Sequence, residues 1–231
     1  MHFTPDGRFG FIPERDQDTV AKVDLATRKV VNRVSFPAGS KPYMLRVAPG
    51  GRELWVATQA ADTNSVLDVD TMAVLSSTPT GRQPTISAFQ PDGGRYVLLI
   101  HQDDTFVSVR DRATQREVQR IEIGLPQINA AFTPDGATAF VAVPKANALV
   151  VLDMNALAIV GRIPTGAAPG GLVLLDPVAG PPTGAMPGLP NTGAGGGAGA
   201  RDDGAWLLGL GGLGLLGALG LRLRRRIPPA D

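Results

Sequence analysis

Apolar residues come in short bursts along the first three quarters of the chain, and turn residues separate them. In the clearest stretch, 130–169, apolar runs occupy 139–143, 148–152 and 158–163. Pro134, Asp135 and Gly136 precede the first run, 145–147 divide the first from the second, and 153–155 divide the second from the third. Runs of about 5–6 residues bounded by Pro, Asp, Asn and Gly predict strands, because an amphipathic helix needs a longer periodic stretch. With 130–133 as the opening strand, the segment predicts one four-stranded antiparallel sheet.

The same pattern occurs four times. The turn proline recurs as Pro5, Pro49, Pro91 and Pro134, at spacings of 44, 42 and 43. An aspartate closing the third strand is assigned as Asp24, Asp70, Asp111 and Asp153. Each copy ends on Gly-x-x-Pro, at Gly39/Pro42, Gly81/Pro84 and Gly166/Pro169, shortened by one residue at Gly124/Pro126. Four strands per repeat of about 40–45 residues is the signature of a β-propeller blade. A lone sheet cannot bury both faces, so neighbouring sheets must stack. The expected fold is all-β, with blades at about 1–42, 43–84, 85–126 and 127–169 and an extra strand in 171–177.

These residues resemble the YVTN-type β-propeller repeats of bacterial and archaeal surface proteins. The likeness rests on Phe132-Thr133-Pro134-Asp135-Gly136 with Ala139-Phe140-Val141-Ala142, and on Leu54-Trp55-Val56-Ala57 with Ser65-Val66-Leu67-Asp68-Val69. It covers residues 1–177 and implies the propeller fold and about seven blades in a complete protein. It implies no particular activity.

Composition narrows the chemistry. With 20 Pro and 29 Gly in 231 residues, the chain is rich in turns. Its net charge of +1 gives no global basic field for nucleic acid, and no nucleic-acid partner is expected. There is no cysteine, so neither disulfides nor thiolate chemistry is available. With only His2 and His101, a His-based metal site or catalytic triad is not expected, nor is a cofactor.

The chain opens abruptly: Phe3-Thr4-Pro5-Asp6-Gly7 aligns with Phe132 to Gly136, leaving the first inner strand nearly absent. No basic and apolar leader precedes it. Two readings compete. In one, upstream blades and a signal peptide are missing. In the other the start is genuine, and the strand at Leu172 to Leu175 pairs beside 9–13 in place of the missing one.

The four aspartates read as turn residues whose carboxylates bond the amides that follow. In a four-stranded meander, the loops between second and third strands share one face with the links between blades. That face carries the less stereotyped loops 14–18, 59–64, 101–104 and 145–147. Variable loops on a rigid scaffold usually hold binding residues, so the candidate ligand face comprises Lys41, Tyr43, Arg82, Gln83, His101, Asp103 and Gln127. His101 beside Asp103 and Asp104 could bind a cation or serve as an acid/base pair. It also fits a polar hairpin loop, and no other copy repeats it.

After Val178 the composition shifts to a Pro/Gly-rich linker, 178–204. Within it stand Leu189, Pro190, Asn191, Thr192 and Gly193, followed by an apolar span at 205–223 and then Arg224, Arg225 and Arg226 in the tail 224–231. The order resembles a cell-wall sorting signal. The resemblance implies cleavage between Thr192 and Gly193 by a sortase and transfer of the Thr192 carboxyl to a peptidoglycan amine. The span would be about 28 Å of helix, enough to cross a ~30 Å hydrocarbon core. Trp206 sits at its outer boundary, and the arginines mark the cytoplasmic side, which puts the repeats outside the cell. A plain membrane anchor is the rival reading. The expected function is a non-enzymatic binding or adhesion module on the extracellular surface, with an unidentified ligand or protein partner. The alternative is a surface-anchored propeller enzyme, lactonase-like or redox, because fold does not decide activity.

Overall fold

The computed structural model describes residues 1–91, 93–174 and 208–209. Sixteen strands form four antiparallel sheets of four, each a meander in chain order. The first holds β1 (His2–Phe3), β2 (Phe9–Glu14), β3 (Thr19–Asp24) and β4 (Lys29–Ser35). The second holds β5 (Pro42–Val47), β6 (Glu53–Thr58), β7 (Thr63–Asp68) and β8 (Val74–Pro79). The third holds β9 (Pro84–Phe89), β10 (Tyr96–His101), β11 (Phe106–Asp111) and β12 (Glu117–Glu122). The fourth holds β13 (Asn129–Phe132), β14 (Thr138–Val143), β15 (Ala148–Asp153) and β16 (Ala158–Pro164). Helix among the described residues is confined to three single 3₁₀ turns. This is a β-propeller-like all-β fold.

Alternation along each strand gives every sheet two apolar flanks, and each internal flank is buried against the next sheet. Phe11 and Val20 of the first sheet meet Leu45, Leu54, Val56 and Leu67 of the second. Trp55 and Val66 on the second sheet's other flank meet Val97 and Leu99 of the third. Leu98, Ile100 and Val107 then meet Ala139, Val141 and Val150 of the fourth. Polar bonds stitch the same boundaries. The Lys22 ammonium donates to the carbonyls of Val69 (2.8 Å) and Asp70 (3.0 Å) and lies 4.1 Å above the Phe9 ring. Gln90 Nε2 donates to Gly136 O at 2.8 Å.

No core cluster of described residues joins the fourth sheet to the first. The repeat supplies an internal comparison. Ile12, Val56, Leu99 and Val141 occupy one position, three residues after the residue paired with the turn aspartate. Val56, Leu99 and Val141 are 0–1% exposed beneath a preceding sheet, whereas Ile12 is 37% exposed. On the far side, Leu172 covers part of the fourth sheet's outer flank, packing on Ala142 and Leu149 beside half-buried Phe140 and Ile163.

The expected extra strand is present but pairs elsewhere. β17 (Val173–Leu174) pairs with β18 (Leu208–Gly209), in the register Val173↔Gly209 and Leu174↔Leu208. It does not join 9–13, because β1 already occupies that edge through His2↔Phe11 and Phe3↔Gly10. Leu208 and Gly209 fall within the span expected to be helical, yet here they are extended. Glycine's low helix propensity and the unpaired edge of β17 both favour that outcome. The rest of the 205–223 span, residues 175–177, the linker 178–204 with its motif 189–193, and the tail 224–231 lie outside the described residues. No helix among the described residues is long and apolar enough to cross a membrane.

The uncovered first flank predicts association between copies. Purified residues 1–174 should show a mass above one chain by size exclusion with light scattering, and Ile12→Lys should shift that population toward monomer. Because Ile12 is exposed, its melting temperature should barely move.

Candidate functional site

The face formed by the second-to-third loops and the inter-sheet links is built by one recurring device. The loops Arg15–Gln17, Gln59–Ala61 and Pro144–Ala146 are single 3₁₀ turns, each ended by a residue in the left-handed region: Asp18 (φ 53°), Asp62 (φ 52°) and Asn147 (φ 49°). Asp and Asn tolerate that conformation because their short side chains bond locally. Here each side chain reaches the link that follows its sheet. Asp18 accepts from the amides of Gly39 and Lys41, both at 2.7 Å. Asp62 accepts from Gln83 N (2.8 Å) and Asn147 from Ala168 N (2.9 Å). Lys41, Gln83 and Ala168 are themselves left-handed, so loop and link hold one another.

The third sheet replaces this clamp with another. Its loop residue Asp104 pairs with Arg82 at 3.2 Å and accepts from the Arg82 amide, so it holds the preceding link. His101 lies fully buried below. Its Nε2 accepts from Gly81 N at 3.2 Å, and its Nδ1 faces Phe106 O at 3.3 Å, which fixes a neutral tautomer with the proton on Nδ1. Burial pushes its pKa down from the usual 6.5.

Across the loops runs a ladder between residues that open each one. Arg15 Nη1 donates to Gln59 Oε1 at 2.6 Å, and Gln59 Nε2 donates to Gln102 Oε1 at 3.3 Å. The Arg15 guanidinium also lies 5.2 Å above the Tyr43 ring. Beside this ladder opens a cleft of about 290 Å³, lined by Arg15, Gln59, Asp62, Arg82, Gln83 and Asp103, with Ala60 its one apolar residue. Gln83 Nε2 donates to Asp103 Oδ2 (2.7 Å), and Arg82 Nη2 donates to Asp103 O (2.6 Å).

Of the residues proposed from sequence for this face, Arg82, Gln83 and Asp103 line the cleft. Tyr43 supports Arg15 at its edge, and Lys41 is exposed with its amide held by Asp18. His101 and Gln127 do not reach the surface. Both are fully buried, His101 at the last position of β10 and Gln127 in the link just ahead of β13. Gln127 Nε2 donates to Asp104 O (3.3 Å) and to Leu125 O. Sequence reasoning placed the loops 14–18 and 59–64 on this face but did not single out Arg15, Gln59 and Asp62. The signal was there: Arg15, Gln59 and Gln102 each begin a loop, at spacings of 44 and 43.

The turn aspartates on the opposite face bond backbone, as expected, with one correction. Asp68, not Asp70, is the second member. Its Oδ1 accepts from Asp70 N (3.1 Å) and Thr71 N (2.7 Å), as Asp24 does from Thr27 N (2.8 Å) and Asp153 from Asn155 N (2.8 Å). The proline-to-aspartate spacing is then 19, 19, 20 and 19, where Asp70 would give 21. Asp111 also pairs with Arg95 at 2.7 Å, and that bond with the Thr114 amide lowers its pKa to about 2. Among the described residues no three His, Asp or Glu side chains are grouped to hold a metal ion.

These shifts set a pH profile. His101 and His2 both have pKa values lowered chiefly by burial, so the unfolded chain takes protons the folded one refuses. Their contribution is complete above about pH 6.5 and falls as pH drops below it. Asp24, Asp68 and Asp111 are also lowered, so their contribution is complete above about pH 4 and falls toward pH 2. Thermal melts should therefore show two declining limbs on acidification. His101→Gln should make the upper limb shallower, leaving the share of His2, and should not alter the lower one; an unchanged upper limb would contradict this assignment.

No known protein family matches the sequence, and no curated protein matches it. Solved structures do match. One is a chain of Kuenenia stuttgartiensis hydrazine synthase, 26% identical, with a TM-score of 0.54, aligned over 64% of this chain and 45% of that one. This chain therefore spans less than half the length of that structure.

Proposed function

We propose that this chain is a non-enzymatic binding or adhesion module displayed on the outside of a cell. Its propeller-like repeats would present the cleft, and its C-terminal segment would tether it to wall or membrane. The observation that carries the binding role is the cleft, which three successive sheets build from their least stereotyped loops. Binding sites commonly lie on such loops over a rigid frame. The catalytic alternative draws on the likeness to hydrazine synthase, an enzyme. Against it, the cleft's carboxylates, Asp62 and Asp103, are both engaged by Gln83, and the buried His101 lies beneath the loops rather than among the lining residues.

The tether rests on sequence. Leu189, Pro190, Asn191, Thr192 and Gly193 stand ahead of an apolar span and Arg224, Arg225 and Arg226, the order of a sorting signal. The partners would be a sortase, peptidoglycan and, through 205–223, the membrane. Insertion would require Leu208 and Gly209 to leave their pairing with β17.

Expression of the chain with a secretion signal in a sortase-bearing host tests the reading. Wall digests should contain peptides ending at Thr192 joined to a wall amine, and Thr192→Ala should abolish them while membrane retention persists. Deleting 205–231 should release the protein into the medium. Retention after that deletion would overturn the tether.

A further inference from the structure

We infer that the cleft takes a neutral saccharide, a proposal that rests on the binding-module reading and names its ligand class. Size sets the first limit. At about 290 Å³ the cleft stands at the small end of ligand sites, which run from about 300 to 1,000 Å³. It suits one or two sugar rings rather than a folded partner's protruding element.

Chemistry sets the second limit. Ala60 is the one apolar lining residue, so no hydrophobic ligand gains much by entering. Two guanidinium groups, Arg15 and Arg82, face two carboxylates, Asp62 and Asp103, so the lining is charge-balanced. A polyanion would meet the aspartates and a polycation the arginines. What the cleft offers is donors and acceptors side by side: Arg beside Asp, and Gln59 and Gln83 carrying both functions. Among neutral groups the hydroxyl is the one that donates and accepts at a single atom, and a saccharide carries several in a rigid array.

The third limit is how much charge is already spoken for. Arg82 is paired with Asp104, Asp62 holds the Gln83 amide, and Asp103 holds the Gln83 side chain. An ammonium or carboxylate ligand would have to compete with those bonds. A hydroxyl can add to them, since each carboxylate oxygen accepts more than one bond. Arg15, held by Gln59 and Tyr43, has no carboxylate within ion-pair distance among the described residues, which leaves its outer N–H groups to donate. Every lining side chain but Ala60 is thus oriented before a ligand arrives, which lowers the entropy cost of binding.

The test is titration of the full chain, in a sugar-free detergent, with cellotetraose, mannotetraose and chitotetraose. Diglycine serves as the zwitterionic probe and tetragalacturonate as the anionic one. At least one neutral tetrasaccharide should bind, with less than about a twofold change between 50 and 300 mM salt, because neutral contacts are not screened. Arg15→Ala and Gln83→Ala should each weaken it by about tenfold, the size of one or two lost hydrogen bonds. Asp103→Asn keeps an acceptor and should cost no more than about threefold; its thermal melt checks the fold. Binding of diglycine or tetragalacturonate alone, abolished by Arg15→Ala, would overturn the saccharide and leave the binding module standing. Absence of binding by all three neutral probes would overturn the proposal, as would saccharide binding indifferent to the cleft variants.

Discussion

Flank-to-flank packing of apolar side chains is the interaction on which everything else depends. A twisted four-stranded sheet has two faces and no interior of its own. Phe11, Trp55 and Leu98 occupy one equivalent position, and each is at most 1% exposed because the next sheet covers it. Burying a side chain of that size contributes roughly 1.5–3 kcal/mol, and each interface repeats the gain over several residues. The outer strands β4, β8 and β12, mostly exposed, gain little by comparison. Stability is therefore held between sheets more than within them, as in repeat proteins generally.

That stacking fixes where the loops stand, and the clamps fix how they stand. Asp18, Asp62 and Asn147 each tie a loop to the link leaving the same sheet. Asp104 and His101 tie the third loop to the link entering it. The departure occurs where the cleft lies. Because Asp104 pulls on Arg82, the second link is held from both sides, by Asp62 and by the third loop. Gln83 and Arg82 are thereby set into the cleft wall.

Much of the fold could be read from the sequence, because turn residues with obligatory backbone roles recur at a near-constant period. The turn proline and the turn aspartate mark the two hairpins on one face of each sheet by their own chemistry, Gly-x-x-Pro marks the link that follows, and alternation between them assigns the flanks. Asp70 has the right residue type, but only Asp68 keeps the spacing of the other copies from their turn prolines. The cleft was half legible. Arg82, Gln83 and Asp103 follow from knowing which face the links share, whereas the burial of His101, at a strand's last residue, and of Gln127, in a link, depends on packing that strand alternation does not determine. The role of Gln59 appears only when Arg15 and Gln102 flank it across two sheet boundaries. The pairing of β17 with Leu208 and Gly209 could not have been anticipated, since it joins segments of unrelated pattern.

Four sheets stack in chain order, and no core cluster of described residues joins the first to the fourth. The absence of cysteine makes this arrangement directly measurable. Ala26, Asp70, Ala113 and Asn155 are exposed and equivalent, each two residues past its turn aspartate. Cysteine pairs at these sites can carry spin labels for pulsed dipolar distance measurement. Stacking in chain order predicts similar distances for 26–70, 70–113 and 113–155, and a clearly longer one for 26–155 in dilute monomer. A 26–155 distance equal to the other three would mean a closed four-bladed ring and would contradict it.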